Sequence, residues 1–186
     1  KLLRRGHRLA AEWLVSKGEN DPRVLADHFE RGGEPLRALP WMIKAAQAAL
    51  DAGNPEAALE LVERGIAAGA TGETLGLLRS LQATAFTHTG AMLRIREVQE
   101  EALELLPAGS EPWLTTAAWV VFAAIVLGEP GGAVAVLGEL IELEAPAASS
   151  AYAKVVYFLS LALYNAGQHG VALALAERLD ATAEKA

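Results

Sequence analysis

The sequence contains no cysteine, which rules out a disulfide framework, a thiolate metal site and a cysteine nucleophile. That absence fits a reducing compartment, and a cytoplasmic location is the expectation. β-Branched residues are sparse and alternate nowhere with polar ones, so no segment reads as a strand. Nothing resembles a signal peptide. The chain opens mid-pattern with "KLLRRGHRLAAEWL" and has no initiator Met, which reads as a piece of a longer protein. The apolar run from Ala117 to Leu127 is also short. At ~1.5 Å per residue it spans about half of a ~30 Å hydrocarbon core, where ~20 residues are needed. Lipid is therefore not its cover, although a helix built from it is apolar all round, and protein must supply that cover.

Catalytic signatures are missing as well. No GxxxxGK[ST], HExxH, GxSxG or Asp-rich calcium loop occurs. His7, His28, His88 and His169 stand far apart with no ligand spacing, so neither a metal nor another cofactor is expected. Glu97, Glu100, Glu101 and Glu104 on one helix read as its wet outer face, paired at helical spacing with Arg94 and Arg96. His28 is expected to pack or to bond the backbone of its turn. An enzyme is not the expectation.

What is present is helix. Hydrophobic residues make up 52% and charged residues 21% of 186 positions, a globular balance. Ala, Leu, Glu and Arg dominate between Gly- and Pro-rich breaks. The breaks delimit helices at roughly 3–17, 22–31, 36–52, 55–68, 73–89, 91–106, 112–127, 131–144, 149–166 and 168–184. Asp21-Pro22, Asn54-Pro55 and Glu129-Pro130 place Pro in a first turn, where its missing N–H is harmless. Pro40 lies inside the third helix and should kink it or mark a late start.

The net charge of −7 is uneven. Residues 1–44 carry nine Lys/Arg against six Asp/Glu, a net +3, and the remainder seven against seventeen, a net −10. Acidic balance argues against wrapping nucleic acid. The one basic cluster, Lys1, Arg4, Arg5 and Arg8, has no interleaved aromatics. It reads as a solvated helix face or a surface against a neighbouring domain.

Gly18, Gly53, Gly90, Gly128 and Gly167 recur at intervals of 35, 37, 38 and 39 residues, each ending one helix before the next, as caps with positive φ do. Seven residues before them stand Ala11, Ala46, Ala83, Val121 and Ser160; five after them stand Arg23, Ala58, Ile95, Ala133 and Ala172. Small residues there allow paired helices to approach closely. Pro107 and Pro146 close the third and fourth units. Gly33, with Ala26, Phe29, Ala38 and Ala45, fits the same template, which leaves the phase of residues 1–55 open.

This pattern resembles the tetratricopeptide repeat, most closely in the third unit at Ala83, Phe86, Gly90, Ala102 and Pro107. Arg23 and Ile95 stand where that repeat has Ala. The stretch from Gly6 to Ala70, with "HRLAAEWL" and "LADHFERGGEP", is similar to the start of the helical-repeat region of large bacterial signalling proteins. These are multidomain serine/threonine kinases, adenylate cyclases and transcriptional regulators with a signal-transduction ATPase module. Met42 stands where that family would have an aromatic residue. The resemblance implies an all-α, right-handed α-solenoid of about five helical hairpins in one repeat domain over 1–186, family-like over 1–70 and degenerate beyond. It implies no catalytic residue in this chain.

In such an array the first helix of each pair lines the concave side. The expected partner-binding groove then carries Ile43 and Gln47, Thr84 and Thr87, Phe122 and Ile125, and Tyr157, Leu161 and Tyr164. Val121 and Ala124 should be buried, and Trp119 and Val120 should pack on neighbouring units. The expected partner is a protein or peptide, other domains of the same parent chain included, with no nucleic acid and no membrane. Two alternatives stay open. One is a small-ligand pocket using Tyr157, Tyr164, Asn165 and His88. The other is a homo-oligomer through the Phe122 stripe or a terminal helix, the last one being apolar at Val171, Leu173, Leu175 and Leu179.

Overall fold

Helices pair closely with their neighbours, and glycines at positive φ stand at many of the helix ends. The computed structural model describes residues 1–90, 94–128, 133–143 and 150–183. Among them are ten α-helices and no strand. They are α1 (Leu2–Ser16), α2 (Pro22–Arg31), α3 (Pro35–Asp51), α4 (Pro55–Ala67), α5 (Gly72–Thr89), α6 (Ile95–Leu105), α7 (Glu111–Leu127), α8 (Val134–Glu142), α9 (Ser150–Asn165) and α10 (His169–Ala183). All five periodic glycines adopt positive φ, between 69° and 79°. Gly33, the marker of the alternative phase, does so too, at 79°. Three helix starts carry a side-chain cap. The Asp21 carboxylate accepts from the N–H groups of Arg23 and Val24, Asn54 accepts from Ala57, and Ser110 accepts from Trp113. Pro40 neither delays nor ends α3, which runs continuously from Pro35. Glu129, Pro130, Pro146 and the Leu179 side chain lie outside the described residues.

The chain forms two compact units, Lys1–Leu105 and Leu106–Ala186. In the first, each helix packs on the next in sequence, and α3 also packs on α5. Its core is rich in alanine: Ala11, Ala26, Ala38, Ala46, Ala58 and Ala85 are fully buried beside Met42, Leu61, Val62 and Leu78. Met42 is enclosed. The paired-helix positions read from the sequence are buried at Ala58, Ile95, Ala133 and Ala172, while Arg23 is exposed.

Gly65 brings α4 and α5 together, since a Cβ there would stand 2.9 Å from Leu78 Cδ1. Ion pairs tie other helices across the first unit. One nitrogen of the Arg64 guanidinium on α4 lies 2.6 Å from both Asp27 and Glu30 of α2. Partial burial opposes the charge on Arg64, but hydrogen bonds to Glu30 and Asp27 outweigh it and raise its pKa. Arg37 on α3 meets Glu12 on α1 at 3.1 Å. Glu97, Glu100 and Glu104 are exposed as expected, but Glu101 departs from that face. It turns towards α5 and reaches Arg79 Nε at 2.6 Å, while Arg94 stacks over the Phe86 ring instead of pairing along the helix.

In the second unit α7 packs on α9, α9 on α10, and α8 touches both α7 and α10. Trp113, Leu114, Val121, Leu140, Tyr152, Val156, Leu159 and Leu175 form its interior. Protein covers much of the apolar run of α7, with Val121 fully buried and Ala124 nearly so. The C-terminal carbonyls of α8 are held from two helices. Tyr152 on α9 donates to Leu140 O at 3.2 Å, and Arg178 on α10 donates to Leu143 O at 3.1 Å. No helix among the described residues is long and apolar enough to cross a membrane.

Gly65→Ala is expected to lose about 1–2 kcal/mol of stability in denaturant melts. Overpacking against the enclosed Leu78 exceeds the gain in helix propensity there. Burial raises the Tyr152 phenol pKa, against the opposing pull of Arg178. A phenol raised in the folded state stabilises the fold below its unfolded value of about 10, and that contribution fades as pH climbs through the folded value. Tyr152→Phe is expected to lower stability by about 1 kcal/mol at neutral pH. Its melting temperature should then fall less than the parent's as pH rises above about 10; equal falls would remove the phenol from the alkaline transition.

Candidate interaction surface

The nine residues read from the sequence as a groove fall into distinct environments, and the structure brings together only some of them. In the first unit, Ile43 is half-buried and Gln47 is exposed, its amide donating to Asp51 along α3. Thr84 and Thr87 are half-buried, each hydroxyl donating to a carbonyl of its own helix, Ser80 O and Ala83 O. Those hydroxyls therefore spend their donors locally. Leu50, seven residues after Ile43 on α3, is buried.

The second unit presents a different surface. Phe122 on α7 stands edge-on to Trp119, with ring centres 5.8 Å apart. Both contact Phe158 of α9, at 5.4 Å and 6.4 Å between centres. The trio fixes α7 against α9 and leaves Phe122 half-buried. Beside it the outer side of α9 carries Lys154, Tyr157, Phe158, Leu161, Tyr164 and Asn165, all exposed and recurring at three- and four-residue steps. Tyr157 is 68% exposed, Leu161 50% and Tyr164 61%. Tyr164 also packs edge-on to His169 at 4.7 Å. One cation is the only charge on this side of the helix. Val126 extends the surface on α7.

Ile125 belongs elsewhere. With Val121, Ala124, Leu137, Leu163 and Val171 it lines an open-sided cavity of about 330 Å³ between the four helices of this unit. Gln168 contributes the single polar side chain of that lining. Tyr157, Tyr164 and Asn165 do not reach it. They point outward, as does His88 in the first unit.

Sequence reading missed three features. Phe158 joins the aromatic surface, and its position one residue after Tyr157 on an apolar helix is the signal that was available. The histidines are not all apart: His7 on α1 and His28 on α2 approach to 3.3 Å between Nδ1 atoms, half-buried in one hairpin. His28 thus pairs with another ring instead of bonding its own turn. Among the described residues no three His, Asp or Glu side chains gather as metal ligands. Finally, α1 exposes Leu2, Leu9 and Trp13. Comparison of the chain with known protein families, curated proteins and solved structures returns no match.

Phe122→Ala is expected to cost about 2–3 kcal/mol, below the figure for a fully enclosed Phe, because it opens the trio. Leu161→Glu, on the open side of α9, is expected to change stability by about 0.5 kcal/mol or less. Urea titrations of the two variants check the contrast.

Proposed function

We propose that the chain is a protein–protein interaction scaffold that binds partners through the outer side of α9 and the adjoining part of α7. It would belong to a cytoplasmic bacterial signalling protein as a tetratricopeptide-repeat-like arm, a right-handed solenoid of helical hairpins that positions or restrains an ATPase or kinase module. The observation that carries the binding role is the α9 surface. Four large apolar or aromatic side chains stand exposed on one side of a single helix, with Lys154 as their only charged companion. Contiguous apolar surface of this kind marks interaction sites in folded proteins, and aromatic anchors dominate binding energy at such sites. The repeat reading draws support from the five left-handed glycines at near-regular intervals and from the consecutive pairing of α1 to α6.

Binding rather than catalysis is the role these residues suit. The side chains on the surface are apolar and phenolic with one amide and one amine, a set that offers contact area and hydrogen bonds to a partner. A second reading, a small-ligand sensor, draws on the 330 Å³ cavity, whose size falls at the lower end of ligand sites. Its lining offers one polar side chain where a selective site has several.

The reading is tested by placing a photoactivatable phenylalanine at position 157 or 161, and at the exposed Glu63 of α4 as control, in cells that make the protein. Discrete protein adducts from 157 and 161 but not from 63 are expected. Adducts of equal yield at all three positions, or at none, would overturn the assignment.

A further inference from the structure

The meeting of His7 and His28 in the first hairpin lies apart from the interaction surface, and close backbone approach brings it about. His7 lies one turn before the fully buried Ala11 on α1, and His28 one turn before Gly32 at the end of α2. A Cβ at Gly32 would stand 2.9 Å from the main-chain nitrogen of Arg8, so the two helices touch beside the rings. The imidazoles are half-buried, tilted by 55° and 5.1 Å apart between centres. Solvent reaches them, while packing limits how far they can separate.

Their Nδ1 atoms face each other at 3.3 Å. That is long for a hydrogen bond from an N–H group, which falls at about 2.7–3.2 Å. It is the separation of two ligands on one tetrahedral ion, since nitrogens held about 2.0–2.1 Å from zinc stand about 3.3 Å apart. Neutral imidazole is also a ligand that suits zinc. With each ring proton on Nε2, both Nδ1 atoms are acceptors, and only a cation satisfies the two together.

We propose that His7 and His28 form a zinc site that clamps α1 to α2, each ring contributing Nδ1. No spacing within one segment marks the pair, because each helix supplies one ring. No third His, Asp or Glu joins them among the described residues, so the other positions of the ion are left to water. Two protein ligands hold zinc less tightly than the three or four of resident zinc sites, and occupancy therefore follows the zinc level. Arg4, Arg5 and Arg8 on the same helix also oppose a dication, but all three are exposed and screened by solvent. Bound zinc adds a cross-link between positions 21 residues apart.

Isothermal titration calorimetry of the intact chain with zinc chloride at neutral pH tests this, with no histidine tag present. His7→Gln and His28→Gln are the site variants, and His88→Gln and His169→Gln, at exposed positions, are the controls; circular dichroism verifies that all four fold. One ion per chain is expected for the parent and for both controls. Either site variant is expected to bind about tenfold more weakly or worse, and the double variant little more weakly than that, because the pair acts as a unit. Zinc should slow amide hydrogen exchange in α1 and α2 of the parent and leave the site variants unchanged. Binding should fall as pH drops below about 6.5, where free imidazole takes up a proton. No binding by the parent, or binding at the parent's strength in either site variant, would overturn the site and leave a hydrogen-bonded pair. Loss of binding in a control, or two chains per ion, overturns it as well, by placing the ligands elsewhere or on different molecules.

Discussion

Everything in this chain depends on how closely its helices approach. Alanine buries little apolar area, so Ala26, Ala38, Ala46, Ala58 and Ala85 contribute mainly by what they leave out. With one methyl at each crossing, neighbouring backbones come near enough for Leu61, Met42 and Leu78 to interlock, and Gly65 takes this to its limit against Leu78. The same economy has a consequence at the surface. Alanine takes many of the enclosed positions, and more than half of the residues are hydrophobic. Some large apolar side chains must then remain outside, and Tyr157, Leu161 and Tyr164 are among those that do.

The two units hold their helices by different polar means. In the first, charged side chains reach across helices: Arg64 to Asp27 and Glu30, Arg79 to Glu101, Arg37 to Glu12. Most of these groups are partly exposed, so each pair stabilises modestly and acts chiefly to fix which helix faces which. In the second, Tyr152 and Arg178 direct their donors at main-chain oxygens at the end of α8. Those carbonyls have no partner within their own helix, and satisfying them in a buried setting matters more than one surface ion pair. With cations so few there, Glu111, Glu139, Glu142 and Glu177 stay exposed and form no ion pair among the described residues.

Much of the helix plan was legible in the sequence because it rests on local chemistry. Positive φ at Gly18, Gly53, Gly90, Gly128 and Gly167 follows from glycine at a helix end. The caps at Asp21 and Asn54 follow from an oxygen placed before Pro. What was not legible depends on helix crossings. Arg64 finds Asp27 37 residues away, a separation at which no spacing rule operates. The meeting of His7 with His28 and the inward turn of Glu101 have the same origin. At Pro40 the late start is excluded, because α3 already runs from Pro35 and carries Pro40 inside it, losing one main-chain donor.

The candidate site was read less well than the fold, and α7 shows why. A side chain's orientation on a helix is inferred from contrast between polar and apolar positions, and from Ala117 to Leu127 there is none. Counting from Gly128 placed Phe122 and Ile125 on one stripe, yet Phe122 enters an aromatic cluster with α9 while Ile125 turns into the cavity. On α9, Lys154 and Asn165 supply the missing contrast at either end, and Tyr157, Leu161 and Tyr164 between them face outward as the spacing requires. The stripes of α3 and α5 add a polar counterpart, because Gln47, Thr84 and Thr87 already bond within their own helices. A partner gains little by displacing bonds that are satisfied. Exposed rings and a leucine have no such internal claim on them, so desolvating α9 releases free energy that desolvating α5 does not.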